Sequence, residues 1–175
     1  MNILRTDSDH ADFRALVALL DQDLAVRDGD EHAFYSQFNT LDKINHAVVA
    51  FLENEPIACG AIRAFSEDAM EVKRMFVLPE QRGRGIAGRV LNELEAWALE
   101  LGYSRCTLET GKKQPEAIRL YKKSGYEIIP NYGPYEQVEN SVCMGKTLST
   151  SAPRSSSQYR PVPLSSYTPP SPVPA

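Results

Sequence analysis

Residues 82–88 read Arg-Gly-Arg-Gly-Ile-Ala-Gly, and a helical pattern begins inside that run. Glycines let a main chain approach a ligand closely, and N–H groups at a helix start point outward. The macrodipole there favours an anion by about 0.3–1 kcal/mol. Arg82 and Arg84 add donors for charge-assisted hydrogen bonds. The chemistry such a loop performs is to hold a pyrophosphate. Gly83, Gly85 and Gly88 also spell G-x-G-x-x-G, the dinucleotide-binding pattern. Three features oppose that spelling. Several strands precede the loop, whereas a dinucleotide fingerprint follows the first strand of its domain. "LPEQR" separates Val77 from Gly83, where a dinucleotide turn is tight. Arginines alternate with the glycines, which suits a more highly charged ligand. No Lys-Ser or Lys-Thr follows, so the loop is not a P-loop.

Other reactive residue types are scattered. Cys59, Cys106 and Cys143 are far apart, sit in apolar strand-like runs and read as buried free thiols. His10, His32 and His46 have no paired ligand spacing, so no metal site is expected. The formal net charge of -4 gives no support to a nucleic-acid or anionic-membrane partner. "MNILRTDSDHADF" has no apolar signal region, and the apolar runs fall far short of the ~18 residues of a membrane span. These features together predict a cytoplasmic protein.

The elements that must position the loop follow from periodicity. Asn2–Thr6 reads as a strand. Asp9 is placed to cap a helix over 11–27, with Phe13, Leu16, Val17, Leu20 and Leu24 on one stripe. A second short helix is expected over 31–38. His46–Glu53 and Pro56–Ala64 are strands joined through "ENEP" as a hairpin, and Met70–Leu78 is a third. Gly85–Leu101 is an amphipathic helix closed by Gly102. A strand over 105–109, a helix over 115–123 closed by Gly125, and strands over 126–129 and 141–146 complete the chain. The order β-α-α-β-β-β-α-β-α-β-β is a mixed α/β sheet. Composition changes near Leu148. The 27 residues from Ser149 hold 7 prolines and 8 serines. Residues 1–148 are therefore expected as one domain and 149–175 as a disordered tail. "RPVP" and "YTPPSPVP" have the form of polyproline ligands for SH3- or WW-like modules.

The segment "VKRMFVLPEQRGRGIAGRVLNELEAWALELG" resembles the acetyl-CoA-binding segment of the GCN5-related N-acetyltransferases (GNAT). That family's Gln/Arg-x-x-Gly-x-Gly/Ala signature appears here as Arg82-x-x-Gly85-x-Ala87. "LETGKKQPEAIRLYKKSGYEII" resembles the family's later strand, helix and strand, with A-x-x-L-Y-x-x-x-G-Y running from Ala117 to Tyr126. The resemblance extends over about 2–148 and is strong from about 70 to 147. It implies a GNAT-like acyl-CoA N-acyltransferase fold with splayed central strands, and an acetyl-CoA-dependent N-acetyltransferase acting on a primary amine in a ternary complex. Acetyl-CoA is then the acyl-donor substrate, and no metal is needed.

The resemblance also implies roles. Backbone near Met75, Phe76 and Val77 would pair with the pantetheine arm as an added strand does. Arg82, Gly83, Arg84, Gly85, Ile86 and Ala87 would hold the pyrophosphate, with Gly88 serving close packing instead. Gln114 stands where relatives carry a CoA-contacting Asn. Tyr121 stands where the family has the tyrosine that protonates the departing thiolate, a role a phenol of pKa about 10 can fill. Glu71 matches the place of a general-base carboxylate. Glu109 is expected to bind the ammonium, and Tyr132 and Tyr135 to line the acceptor pocket. The bland readings remain beside these: a central strand, a core aromatic and surface carboxylates. A non-catalytic acyl-CoA-binding adaptor is the alternative function, and the last strands leave a homodimer open.

Overall fold

The structure is a computed structural model describing residues 1–37 and 43–150. The end of the second expected helix and all of the Pro/Ser tail beyond Thr150 lie outside the described residues. Seven strands form one sheet in the order β1-β2-β3-β4-β5-β7-β6. They are β1 (Asn2–Thr6), β2 (His46–Leu52), β3 (Glu55–Ala64), β4 (Ala69–Val77), β5 (Arg105–Gly111), β6 (Glu127–Ile129) and β7 (Ser141–Thr147). The helices are α1 (Ala11–Asp28), α2 (His32–Ser36), α3 (Ile86–Glu100) and α4 (Pro115–Lys123). The sequence of elements is the one expected from periodicity.

Local chemistry accounts for most boundaries. Glu53 and Asn54, in the β2–β3 turn, both take positive φ, 51° and 69°, which matches the right-handed twist of a tight hairpin. Gly102 has φ 93°. The Tyr103 and Gly102 N–H groups donate back to Ala98 and Leu99, closing α3 by a Schellman motif. The cap on α1 differs from expectation. His10, not Asp9, supplies it: its Nδ1 accepts from the Asp12 N–H at 3.2 Å. The Asp9 N–H instead donates to the Asp7 carboxylate, forming a turn one residue too early to cap the helix.

Alternation along the central strands sends side chains to two cores. Met70, Val72, Cys106 and Leu108 pack against α3 and α4 with Val90, Leu91, Leu94 and Tyr121. Val49, Cys59, Ala61 and Phe76 pack against the Phe13, Leu16, Val17 and Leu20 stripe of α1. The three cysteines are buried free thiols, as expected.

Two irregularities in β4 open the sheet. The first is a β-bulge. Cys59 pairs with Phe76 but Ala61 pairs with Lys73, so β4 carries one extra residue there. Arg74 absorbs it at φ 59°, a conformation a non-glycine residue holds only where its surroundings compel it. Its Nη1 is fixed by Asp21 at 2.9 Å, and its carbonyl accepts from Cys59 Sγ at 3.4 Å. The second irregularity is a splay. The parallel pairing of β4 with β5 covers only 69–71 against 105–107, yet β4 runs on to Val77 and β5 to Gly111. The facing backbone groups beyond Glu71 and Thr107 are left without each other.

Candidate active site

The splay opens into a cleft of about 430 Å³ lined by α1, β4, the loop after it, the start of α3, β5 and α4. Of the residues expected at a cofactor site, Met75, Phe76, Val77, Arg82, Gly83, Gly85, Ile86, Ala87 and Gln114 all line it, together with Tyr121 and Glu109. Arg84, Glu71, Tyr132 and Tyr135 stand outside its lining.

At one end, the glycine loop turns the chain into α3. Gly83 and Gly85 take φ 76° and 74°, values L-residues rarely adopt. No side chain caps the helix start, so its N–H groups are available to an anion. Gly88 departs from the close-packing expectation. A Cβ built there would meet nothing within 4 Å, and Gly88 faces the cleft. The missing side chain leaves room over the first turn of α3 rather than room for a neighbour. The arginines also behave differently from expectation. Arg82 folds back, with Nε donating to the Val77 carbonyl at 2.9 Å and Nη2 meeting Asp23 at 3.4 Å. Arg84 bonds Gln81. What the loop presents to the cleft is thus chiefly backbone.

Tyr121 occupies the middle of the cleft. It is 7% exposed, and its hydroxyl makes no hydrogen bond among the described residues. Burial raises its phenol, and the nearby Glu109 charge raises it further. It therefore stays protonated through the neutral range and can act as a proton donor.

Glu109 faces it from β5. Burial pushes its carboxyl up to about 7, Glu71 and Asp28 push the same way, and Ser141 and Lys73 oppose them. A carboxyl poised near neutrality can accept a proton and release it again. Glu71 is in a different state. Its Oε1 takes Arg63 at 3.0 Å and Lys73 at 3.5 Å, and its Oε2 takes the Tyr132 hydroxyl at 2.8 Å. Both oxygens are committed, so the residue expected as the base is a buried hub that fixes a cation pair and a tyrosine. Tyr132 stacks on Phe65 and Tyr135, forming a wall beside the pocket rather than its lining.

Several residues at this end were not singled out from the sequence. Tyr35 on α2 and Ser141 on β7 meet at 3.5 Å between oxygens. The Asn131 side chain bonds the Val138 and Ser141 carbonyls and the Cys143 N–H, holding the β6–β7 loop. Arg27 links Asp23 on α1 to Glu116 on α4, tying two sides of the cleft. Asp28 had a visible signal. It continues the Leu20, Leu24 series at i+4, so an acid sits where the stripe calls for an apolar residue. It is buried.

Among the described residues no group of acids, cysteines and histidines has metal-binding form. No helix there is long and apolar enough to cross a membrane.

The family model described as "Acetyltransferase (GNAT) family" matches residues 13–126. The chain is 40% identical over 102 residues to the IAA acetyltransferase of Azospirillum brasilense, covering 58% of this chain and 67% of that protein. It is 36% identical over 80 residues to the uncharacterized N-acetyltransferase YjgM of Escherichia coli, spanning 44% of this chain and 48% of that one. Its fold superposes on a Klebsiella pneumoniae crystal structure assigned as an acyl-CoA N-acyltransferase, with TM-score 0.71, 30% identity and 84% and 97% of the two chains covered. A GNAT family acetyltransferase from Elizabethkingia anophelis, solved with acetyl-CoA bound, shares the fold at TM-score 0.60 and 17% identity over 84% and 97% of the chains.

Proposed function

The chain belongs to the GNAT acetyltransferase family, and from that premise we propose that it moves an acetyl group from acetyl-CoA to a primary amine by direct attack in a ternary complex. The observation that carries the reading is the cleft itself. It joins an open helix N-terminus, a splayed strand edge, a buried phenol and a carboxyl poised near 7.

The site fits the acyl donor. The uncovered N–H groups at the start of α3, with the space over Gly88, receive the pyrophosphate. The unpaired edge of β4 at Met75–Val77 receives the pantetheine amides. Beyond the bulge β4 pairs with β3 again through Phe76 and Val77, and a main-chain N–H near Val77 on the splayed side serves as the oxyanion donor. Glu109, rather than Glu71, takes the proton from the acceptor ammonium, directly or through a water. The freed nitrogen lone pair forms the C–N bond, the C–S bond breaks, and the nitrogen releases its remaining extra proton to solvent as the neutral amide forms. Tyr121 gives its proton to the departing thiolate, and the proton taken from the amine restores it through solvent. Buried Cys59, Cys106 and Cys143 have thiols pushed up to about 12, 12 and 11, so none suits a covalent acetyl intermediate.

Residues 1–148 are proposed as the catalytic domain. Action in the cytoplasm, and engagement of an SH3- or WW-like module by the proline-rich tail, extend the same reading. The test is a calorimetric titration with acetyl-CoA, with NAD in parallel, followed by thiol release on a panel of amines. Acetyl-CoA binding with turnover supports the proposal. Binding without turnover on any amine supports an acyl-CoA adaptor instead, and NAD binding alone removes both.

A further inference from the structure

Asp28 ends α1 on the wall of the cleft. It is 8% exposed, and among the described residues its carboxylate makes no hydrogen bond or ion pair. The charged groups around it are His32, Lys113 and Glu31. His32 and Lys113 oppose the effect of burial, but Lys113 makes no ion pair with the carboxylate. Its Nζ reaches the Asp28 backbone carbonyl and the Glu31 carboxylate, both at 3.4 Å. Asn140 also bonds Glu31, at 2.8 Å. His32 carries its own buried, unbonded Nδ1. Burial raises the Asp28 carboxyl above its ordinary range, as expected for an acid held without a partner. The Asp28 charge is felt at Glu109 and at Tyr35, so it belongs to the acceptor end.

The cations of the cleft are in the opposite condition. Arg27 holds Asp23 and Glu116, Lys73 holds Glu71, Arg74 holds Asp21, Arg82 holds Asp23, and Lys113 holds Glu31. Exposed Lys112 makes no such pair among the described residues, and Arg74 keeps a second nitrogen, Nη2, buried without a partner. A carboxylate on the acceptor would find these cations already paired. A second ammonium would find the Asp28 carboxylate on the cleft wall without a hydrogen-bonded partner.

We propose that the acceptor is a small dication, with its reacting amine at Glu109 and its second cationic group on Asp28. This rests on the acetyl-transfer reading above. It makes Asp28 a specificity-determining residue that touches the acceptor without touching the reacting atoms.

The experiment compares a graded series of short α,ω-diaminoalkanes with n-alkylamines and ω-amino acids of equal length, using kcat/KM from thiol release. In parallel, the same amines are titrated calorimetrically into the protein loaded with CoA. Diamines should lead monoamines by at least about tenfold, as a charge pair formed on binding supports. Asp28→Asn should bring the two series near parity by lowering diamine kcat/KM far more than monoamine kcat/KM, with the acetyl-CoA KM unmoved. Equal handling of diamines and monoamines by the native protein, or a preference for the amino acids, overturns the proposal without needing the variant. So does an Asp28→Asn variant that weakens every acceptor alike. If monoamines and diamines both fail to turn over, the acetyl-transfer reading fails, and the calorimetric series still decides whether Asp28 selects a dication.

Discussion

The glycine loop and the acceptor pocket face each other across one cleft, and they are built by opposite means. The loop recognises its ligand with backbone. Its groups come from seven consecutive residues, Arg82–Gly88, and two of them hold a left-handed conformation. The pocket is lined by side chains. Asp28, Tyr35, Lys73 and Glu109 line it from four different elements. The loop stays open because side chains are missing, and the pocket is tuned because charges are unevenly paired. A backbone site can therefore be disrupted by adding atoms. A side-chain site is disrupted by removing one proton acceptor or donor.

Five variants, one of them a control, test that contrast. The largest effect is expected from Gly85→Glu. The new residue is strained at φ 74°, and its carboxylate faces the phosphates. Acetyl-CoA binding should fall below calorimetric detection while circular dichroism keeps its helical content. Near-native affinity would mean the loop does not hold the pyrophosphate.

Next is Tyr121→Phe, which should lower kcat by about 10²–10⁴-fold, the usual range for a lost general acid. The acetyl-CoA Kd should not move, because the hydroxyl acts on the leaving thiolate. Unchanged turnover removes Tyr121 from the mechanism.

Glu109→Gln should lower kcat/KM by roughly 10²-fold, the lower end of the same range, and should change its pH profile. The form that accepts a proton is the carboxylate, present above a pKa of about 7. Native kcat/KM should therefore rise through neutral pH, and the Gln variant should lose that limb. Glu71→Gln is the control: it should keep the limb, since Glu71 holds Arg63, Lys73 and Tyr132 rather than the acceptor. A limb lost with Glu71 and kept without Glu109 would reverse the assignment.

The smallest effect is the most discriminating. Gly88→Ala adds one methyl group in open space near the start of α3. Helix propensity predicts a stability gain of about 0.5–1 kcal/mol in chemical denaturation. Acetyl-CoA should bind more weakly, because the methyl enters the space above the helix start. A loss of stability would restore the close-packing reading of Gly88.

How much of this was legible depends on how local the cause is. The hairpin at Glu53–Asn54, the glycine that closes α3 and the pyrophosphate loop are each decided within a few residues of chain. The α1 cap was misplaced by one residue because Asp9 and His10 are both competent acceptors, and the Asp7 carboxylate decides between them. Glu71 and Glu109 look alike in sequence. Each is an acid in a strand, and only the neighbours from β3, β7 and the β6–β7 loop make one a hub and the other a poised carboxyl. Asp28 was readable as an acid on an apolar stripe, but nothing in the chain says that Lys113 reaches past its carboxylate to its carbonyl.

The sequence by itself determined the order of elements, the apolar stripe of α1 and the glycine turn into α3, because periodicity and glycine φ preference act over short stretches. The tertiary structure alone decided the charge states and partners of the acceptor pocket. Burial and pairing there depend on side chains more than a hundred residues apart in the chain, as with Tyr35 and Ser141. Electrostatic energies are set by separation in space, and separation along the chain leaves that undetermined until the sheet has closed.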